Sequence, residues 1–388
     1  MTALQAAPVL ASSPSYIISL RRWGFVHKYS SLICTLFMLL LCLTGIPLIF
    51  HHEIDTLLGG LPPMPTMPVA QDSARASVDD MVSNALKAAQ QTRPELKTVQ
   101  YIFIDKDDSR LAVVILNIAT NAGPESSQTV LVDTRTAKLL APPKPDEGFM
   151  AIMLSLHVDL FAGLSGTLFL GAMGLFLLIA IISGVVLYAP FMRKLNFAQV
   201  RTNKTKQIKW LDWHNLTGIV TMAWLSVVAL TGVINTVGDP LLKYWQATQM
   251  TQLVAPFSML PAVQKVANLD QAVQTAQAKL PTMRPFVIAM PGTPFSDKRH
   301  INVFMRGDTP VTSRLYQPVF LDGKTSQFAV TAPMPWYING LFISQPLHFG
   351  DYGGMPLKIV WLLLDLIAIA VLLSGLYLWW KKRNAGEM

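Results

Sequence analysis

The chain has 388 residues, of which 52% are hydrophobic and only 14% charged, where an ordinary soluble domain is about a quarter charged. Lysine and arginine outnumber the acids 31 to 23, for a net charge of +8 and a pI near 9.4. Such a composition excludes both a fully solvated soluble domain and a disordered chain. The two cysteines, Cys34 and Cys42, fit no disulfide or cluster-ligand spacing and read as small apolar packers.

In chain order, residues 1–28 form a basic tail and 29–50 a first apolar run long enough to cross a bilayer. Ser19–Phe25 resembles a twin-arginine export signal, but the run after it is too long, and no small-x-small cleavage site follows. It is therefore read as an uncleaved first span, closed by Gly59-Gly60 and Pro62-Pro63. A polar stretch, 51–163, predicts a helix over Ser77–Gln91 and strands at Thr98–Ile104, Leu111–Ile118 and Thr129–Asp133. A second span covers 164–191, a basic loop 192–213 and a third span 214–238. The stretch 239–355 predicts a helix over Leu269–Leu280 and strands at Phe286–Ala289, Ile301–Met305 and Pro318–Leu321. A fourth span, 356–380, and a basic tail, 381–388, complete the chain. The expected fold class is an α-helical bundle of four transmembrane helices carrying two small α+β modules.

Charge is distributed unevenly over this layout. The tails and the loop 192–213 together hold +10, the two polar stretches −2, and Lys358 and Asp365 in the fourth span cancel. Under the positive-inside rule both termini and the short loop are cytoplasmic, and both polar stretches face the other side. The basic pI thus reflects topology in a lipid bilayer, and nucleic acid is not a partner.

The chain is also written twice. Trp23-Gly-Phe-Val-His27 opens the first span and Trp210-Leu-Asp-Trp-His214 the third, each followed 17 and 18 residues later by Thr-Gly (Thr44-Gly45, Thr231-Gly232). Leu156-His157 precedes the second span and Leu347-His348 the fourth, each followed at +26 and +27 by Ser-Gly (Ser183-Gly184, Ser374-Gly375). One unit of about 190 residues therefore covers the chain, with an even number of spans, so the copies are parallel. His27 and His214 then share the cytoplasmic face, and His157 and His348 the opposite one.

Two neutral imidazoles on facing helices are the usual axial ligands of a b-type haem. Eighteen residues make five helical turns, placing Gly45 on the face of His27 and Gly232 on that of His214, where small residues would let a flat macrocycle approach. Gly45 and Gly232 fall near the His157/His348 pair, and Gly184 and Gly375 near His27/His214. Gly163 and Gly166 break the helix after His157. Arg21, Arg22, Arg193 and Lys381 are available to pair with propionates. His51 and His52 have no counterpart in the second copy and read as a solvated helix end, and His300 as a surface residue. Asp365, mid-span, reads either as a local hydrogen-bond partner of Trp361 or Ser374 or as a proton-handling group. Tryptophans at span ends (Trp23, Trp210, Trp213, Trp379, Trp380) read as interfacial anchors, with an aromatic electron relay as the alternative. No GxGxxG, GxxxxGK[ST], HExxH or GxSxG motif occurs, which removes a nucleotide site and the common hydrolase chemistries.

These motifs together resemble the PepSY-associated transmembrane family over nearly the full length: Arg22-Trp-Gly-Phe-Val-His27, Leu156-His157 with Gly163–Gly174, Trp213-His214 with Thr231-Gly232, Leu347-His-Phe-Gly350 and the closing Ser374–Arg383. They look most like its iron-regulated inner-membrane branch of FoxB-like ferrisiderophore reductases. One departure is Lys28 after His27 where an arginine is usual, which keeps the charge but not a bidentate contact. The resemblance implies a bacterial inner-membrane oxidoreductase with two haem b groups, ligated by His27/His214 and His157/His348. It implies periplasmic PepSY modules and a ferric siderophore as substrate, with a cytoplasmic or quinol electron donor. The alternatives are a quinol-linked haem b cytochrome with another acceptor, and a non-redox membrane protein whose modules bind peptides or regulate a protease.

Overall fold

The computed structural model describes residues 14–58, 64–72, 74–104, 109–141, 148–192, 199–309 and 312–384. The Gly59-Gly60 and Pro62-Pro63 breaks and Arg193 lie outside them. The chain forms two units, one of residues 1–50, 151–236 and 347–388 and one of 51–150 and 237–346.

The first unit is a bundle of four long helices that contain most of the four apolar runs and, for the first and third, begin well before them: α1 (Pro14–Ile49), α4 (Gly163–Met192), α5 (Lys206–Thr236) and α8 (Gly354–Asn384). Each is long and apolar enough to cross a membrane. Cys34, Met38, Met173, Leu177 and Ala229 form the buried centre of the bundle. Close approach comes from small residues: a Cβ on Gly174 would stand 2.9 Å from Val233 Cγ2, as expected where packing rather than the hydrophobic effect joins helices. Hydroxyls inside the spans return their protons to the preceding turn, as Thr35 does to Ser31 O (2.6 Å) and Thr221 to Thr217 O (2.9 Å), so these hydroxyl donors are paired within their own helices. Two short helices precede spans, α3 (Phe149–Val158) before α4 and α7 (Trp336–Phe349) before α8. The first break comes where Leu160, Phe161 and Gly163 turn through positive φ, and the second at Gly350 and Gly354.

The second unit is built on one antiparallel sheet of seven strands in the order β3-β2-β1-β4-β5-β6-β7. The strands are β1 (Thr98–Ile104), β2 (Leu111–Asn117), β3 (Gln128–Asp133), β4 (Met283–Ala289), β5 (His300–Gly307), β6 (Tyr316–Asp322) and β7 (Phe328–Thr331). Two separate modules were expected. Instead β1 and β4 pair directly, Ile102 opposite Ile288, and make one sheet. Both strands carry a bulge, at Gln100 and at Phe286.

Helices α2 (Val78–Thr92) and α6 (Leu269–Lys279) cover one face. They bury Met81, Ala85 and Ala89, and Leu269, Ala272 and Ala276, at helical spacing. Each caps the other: Asp270 Oδ1 accepts from Val78 N (2.8 Å) and Asp79 Oδ2 from Leu269 N (2.9 Å), satisfying orphan N–H groups with carboxylates at positive helix ends. Over the second half of the sheet the opposite face is also covered, by a cluster of Trp245, Phe304, Phe320, Met334 and Ile338. That overturns the surface reading of His300. It is fully buried in a strand covered on both sides, with Nδ1 2.8 Å from Asp297 Oδ1 and its ring edge-on to Phe257.

Candidate functional site

The bundle brings the four repeated histidines together in two pairs. His27 on α1 and His214 on α5 have ring centroids 6.4 Å apart, and His157 on α3 and His348 on α7 6.1 Å. The two pairs lie far apart, because the 17 residues from His214 to Thr231, which touches His348, span about 26 Å of helix.

Each ring is seated the same way. The Nδ1 of His27 lies 2.9 Å from Ala180 O and 3.2 Å from Ser183 Oγ. That of His214 lies 3.2 Å from Val371 O and 2.9 Å from Ser374 Oγ. The Nδ1 of His348 meets Val228 O at 2.9 Å and Thr231 Oγ1 at 3.4 Å. His157 meets Thr44 Oγ1 at 2.9 Å and the Leu41 backbone. A carbonyl oxygen can only accept, and each hydroxyl already donates along its own helix, as Thr44 does to Leu40 O (2.8 Å) and Ser183 to Ile179 O (2.7 Å). Nδ1 therefore carries the proton in all four rings, and Nε2 is left with its lone pair. That is the arrangement in which a second shell fixes the tautomer and orientation of a metal-binding imidazole.

The glycine after each hydroxyl residue completes the seat. A Cβ on Gly184 would stand 3.2 Å from His27 Cε1, on Gly375 3.4 Å from His214, on Gly45 3.4 Å from His157 and on Gly232 3.0 Å from His348. All four glycines thus adjoin the expected pairs, but what each one clears is the imidazole itself. The space expected to admit a macrocycle is occupied by the ring edge. The cradle of carbonyl four residues before the glycine, hydroxyl one before and no Cβ at the glycine recurs four times.

A cavity of about 1110 Å³ is lined by the His27/His214 pair and walled by all four spans, slightly above the usual ligand-pocket range. Arg21 lines it, with Lys28, Lys382 and Arg383; Arg22 and Lys381 do not. Among the described residues no group of three or more His, Cys, Asp or Glu is placed to hold a bare metal ion. His51 and His52 are exposed on a short helix, His51–Leu57, of the other unit and join neither pair.

Asp365 is buried, but its expected local partners are engaged elsewhere. Trp361 Nε1 donates to His348 O (3.2 Å), and Ser374 serves His214. The carboxyl instead meets the Cys42 thiol, and its Oδ2 has no partner among the described residues. Cys42 is therefore more than a packer, whereas Cys34 is fully buried in the bundle core. Sequence reasoning also left unassigned the Arg201–Asp212 pair, a two-pronged contact (2.7 and 3.0 Å) at the start of α5. An acid and an arginine eleven residues apart at a loop–helix junction were its only sign.

Four membrane-length helices, with a separate antiparallel sheet, define a multi-span membrane protein. Within that class, the chain belongs to the PepSY-associated TM region family, which it matches over residues 25–382. No curated protein matches the chain.

Proposed function

We propose that this protein is a di-haem membrane oxidoreductase, passing electrons from the cytoplasmic side across the bilayer to reduce a ferric siderophore to Fe(II) in the periplasm. The observation that carries the reading is the pairing of four histidines with Nδ1 tied back and Nε2 free. Rings bonded through Nε2 to one metal atom at about 2.0 Å each would have centres up to roughly 6 Å apart, and the separations of 6.4 and 6.1 Å are compatible with that. Two side chains are too few for a bare ion, whereas haem brings four nitrogens of its own.

Haem held by His27/His214 and His157/His348 would supply one-electron transfer. The remaining work falls to the chain. The serine, threonine and carbonyl acceptors hold each ring in one tautomer, and the glycines admit the rings. Arg21, Lys28, Lys382 and Arg383 offer positive charge to carboxylates around the His27/His214 cavity. The excess of +10 on the tails and short loop supports a cytoplasmic position for that pair. The ferric siderophore is the substrate suggested by the likeness to the iron-regulated branch of the family. Iron(II) is bound less tightly than iron(III) by hard-oxygen chelators, so one electron releases the metal.

An absorption spectrum with haem quantitation on the purified full chain tests this. Two haems per chain are expected. His27→Ala and His214→Ala should each remove the same one, and His157→Ala and His348→Ala the other. A colourless preparation from haem-replete cells would sink the reading in favour of a non-redox role. Loaded protein that menaquinol reduces, but that no ferric siderophore reoxidises, would favour a cytochrome with another acceptor.

A further inference from the structure

Two tryptophans lie between the histidine pairs. Trp224, on α5, comes ten residues after His214 and seven before Thr231, about 15 Å along the helix from the one and about 10 Å from the other. Trp361, on α8, donates its Nε1 to the His348 carbonyl at 3.2 Å. A Cβ on Gly350 would stand 3.0 Å from its Cγ, so the left-handed turn there, φ +78°, folds closely over the indole. The two indoles meet edge to face, centroids 6.3 Å apart and planes at 88°.

Two further observations set Trp224 apart from a packing residue. Its Nε1 is buried and has no acceptor among the described residues. An unpaired buried donor is destabilising, a cost that an apolar side chain at this position would not incur. In addition, the cavity around His27/His214 follows α5 from Leu211 as far as Leu225, and so ends on the turn that carries Trp224. Trp224 itself does not line that cavity but stands between Met222 and Leu225, which do, and the indole it meets donates to the backbone carbonyl of a histidine of the second pair.

The geometry points to the Trp224–Trp361 pair as the bridge through which electrons pass between the two histidine pairs. This rests on the di-haem reading above. Tunnelling decays steeply through saturated side chains and much less through contiguous π-systems, and the two indoles replace saturated path over the middle of the membrane. One electron leaves the His27/His214 site, which is oxidised, and arrives at the His157/His348 site, which is reduced. Neither indole is itself oxidised, no bond forms or breaks, and the step needs no proton.

The test uses the full chain, haem-loaded in proteoliposomes, with dithionite added outside. Only the outward-facing site meets the reductant directly in either orientation, so reduction is expected in two phases, the second reporting passage between sites. Trp224→Leu should keep both haems, their midpoint potentials and the first phase, and slow the second by about tenfold, while Trp224→Phe stays within a few-fold of wild type. If Trp224→Leu loads incompletely, Trp224→Met replaces it with the same expectation. A second phase at the wild-type rate in the fully loaded leucine or methionine variant would overturn the bridge alone. Wild-type protein without haem would overturn the functional reading, and the bridge with it.

Discussion

Gly232 and His348 make the tightest of the four glycine–histidine contacts: a Cβ at 232 would stand 3.0 Å from Cε1, against 3.4 Å between Gly45 and His157. At the first distance the ring must give by a few tenths of an ångström, and the second is ordinary van der Waals contact. Overpacking of this kind costs about 1–3 kcal/mol. Gly232→Ala is therefore expected to lower the haem content of the purified chain from two toward one and reduce its thermal stability. Gly45→Ala and Gly375→Ala should leave both close to wild type, with Gly184→Ala, at 3.2 Å, between them.

The hydroxyl acceptors should not be equivalent. For His214 the nearer partner of Nδ1 is Ser374 Oγ, at 2.9 Å against 3.2 Å for the carbonyl, whereas for His27 the order reverses. Loss of a second-shell partner commonly costs about 10–100-fold in metal-site affinity. Ser374→Ala should fall in that range, measured by haem titration of the apoprotein, while Ser183→Ala, whose histidine keeps its 2.9 Å carbonyl, should change affinity much less. Equal losses in both variants would show that the carbonyls, not the hydroxyls, orient the rings.

Much of this site was legible in the sequence because it is repeated. A single histidine at a span end carries little information, but His27 and His214, each followed by Thr-Gly at the same distance, mark equivalent places on two helices. The spans announced themselves by apolar length, and strand alternation located β1 to within a residue. What the sequence withheld was long-range or two-sided. Nothing local to Thr98–Ile104 or Met283–Ala289 says that these strands pair across about 185 residues and merge two sheets into one. His300 looked exposed because it follows Lys298-Arg299, yet β5 is covered on both faces and loses the alternation that would reveal burial. The glycines were found for the wrong reason: their spacing was visible, but the side chain filling the space in front of them belongs to another helix. Asp365 and Cys42 stand 323 positions apart, and only packing of α1 against α8 joins them.

The reciprocal caps between α2 and α6 make stability depend on pH in an unusual direction. Burial raises the Asp79 carboxyl above the ordinary range, and the adjacent Asp270 carboxyl adds to this, outweighing the backbone N–H groups that favour its charge. A carboxyl whose folded value is raised binds its proton more tightly in the folded state. Its contribution is complete below the unfolded value and is lost as pH rises through the folded one. Thermal unfolding of the full chain in detergent should therefore show a loss of stability just above the ordinary carboxylate range that Asp79→Asn abolishes. An unchanged profile in that variant would assign the dependence to another group.

The opposite sign holds at the end of β3. Asp133 and Arg135 are buried together, side chains 1% and 2% exposed, with Nη2 2.9 Å from Oδ2 and Nε 3.0 Å from Oδ1. Burial alone would raise the Asp133 carboxyl, but the guanidinium and the Arg135 N–H more than reverse it, so it lies below the ordinary range. Its contribution is present above the unfolded value and lost as pH falls through the folded one. Removing one member of a buried pair strands the other charge, typically at a cost of about 3–5 kcal/mol, whereas replacing both with apolar groups of like size is often neutral. Arg135→Met should accordingly speed hydrogen exchange in β3 and its turn, where Ala137 N bonds Asp133 O, with a stability deficit that is largest near neutral pH and shrinks as acid protonates the stranded carboxylate. Adding Asp133→Leu should recover most of the loss, because the stranded carboxylate, rather than the missing guanidinium, is what the fold cannot accommodate. If the double variant is no more stable than Arg135→Met, the pair stabilises the turn through its geometry, including the Arg135 contact to Pro65 O at 2.9 Å, and not through charge.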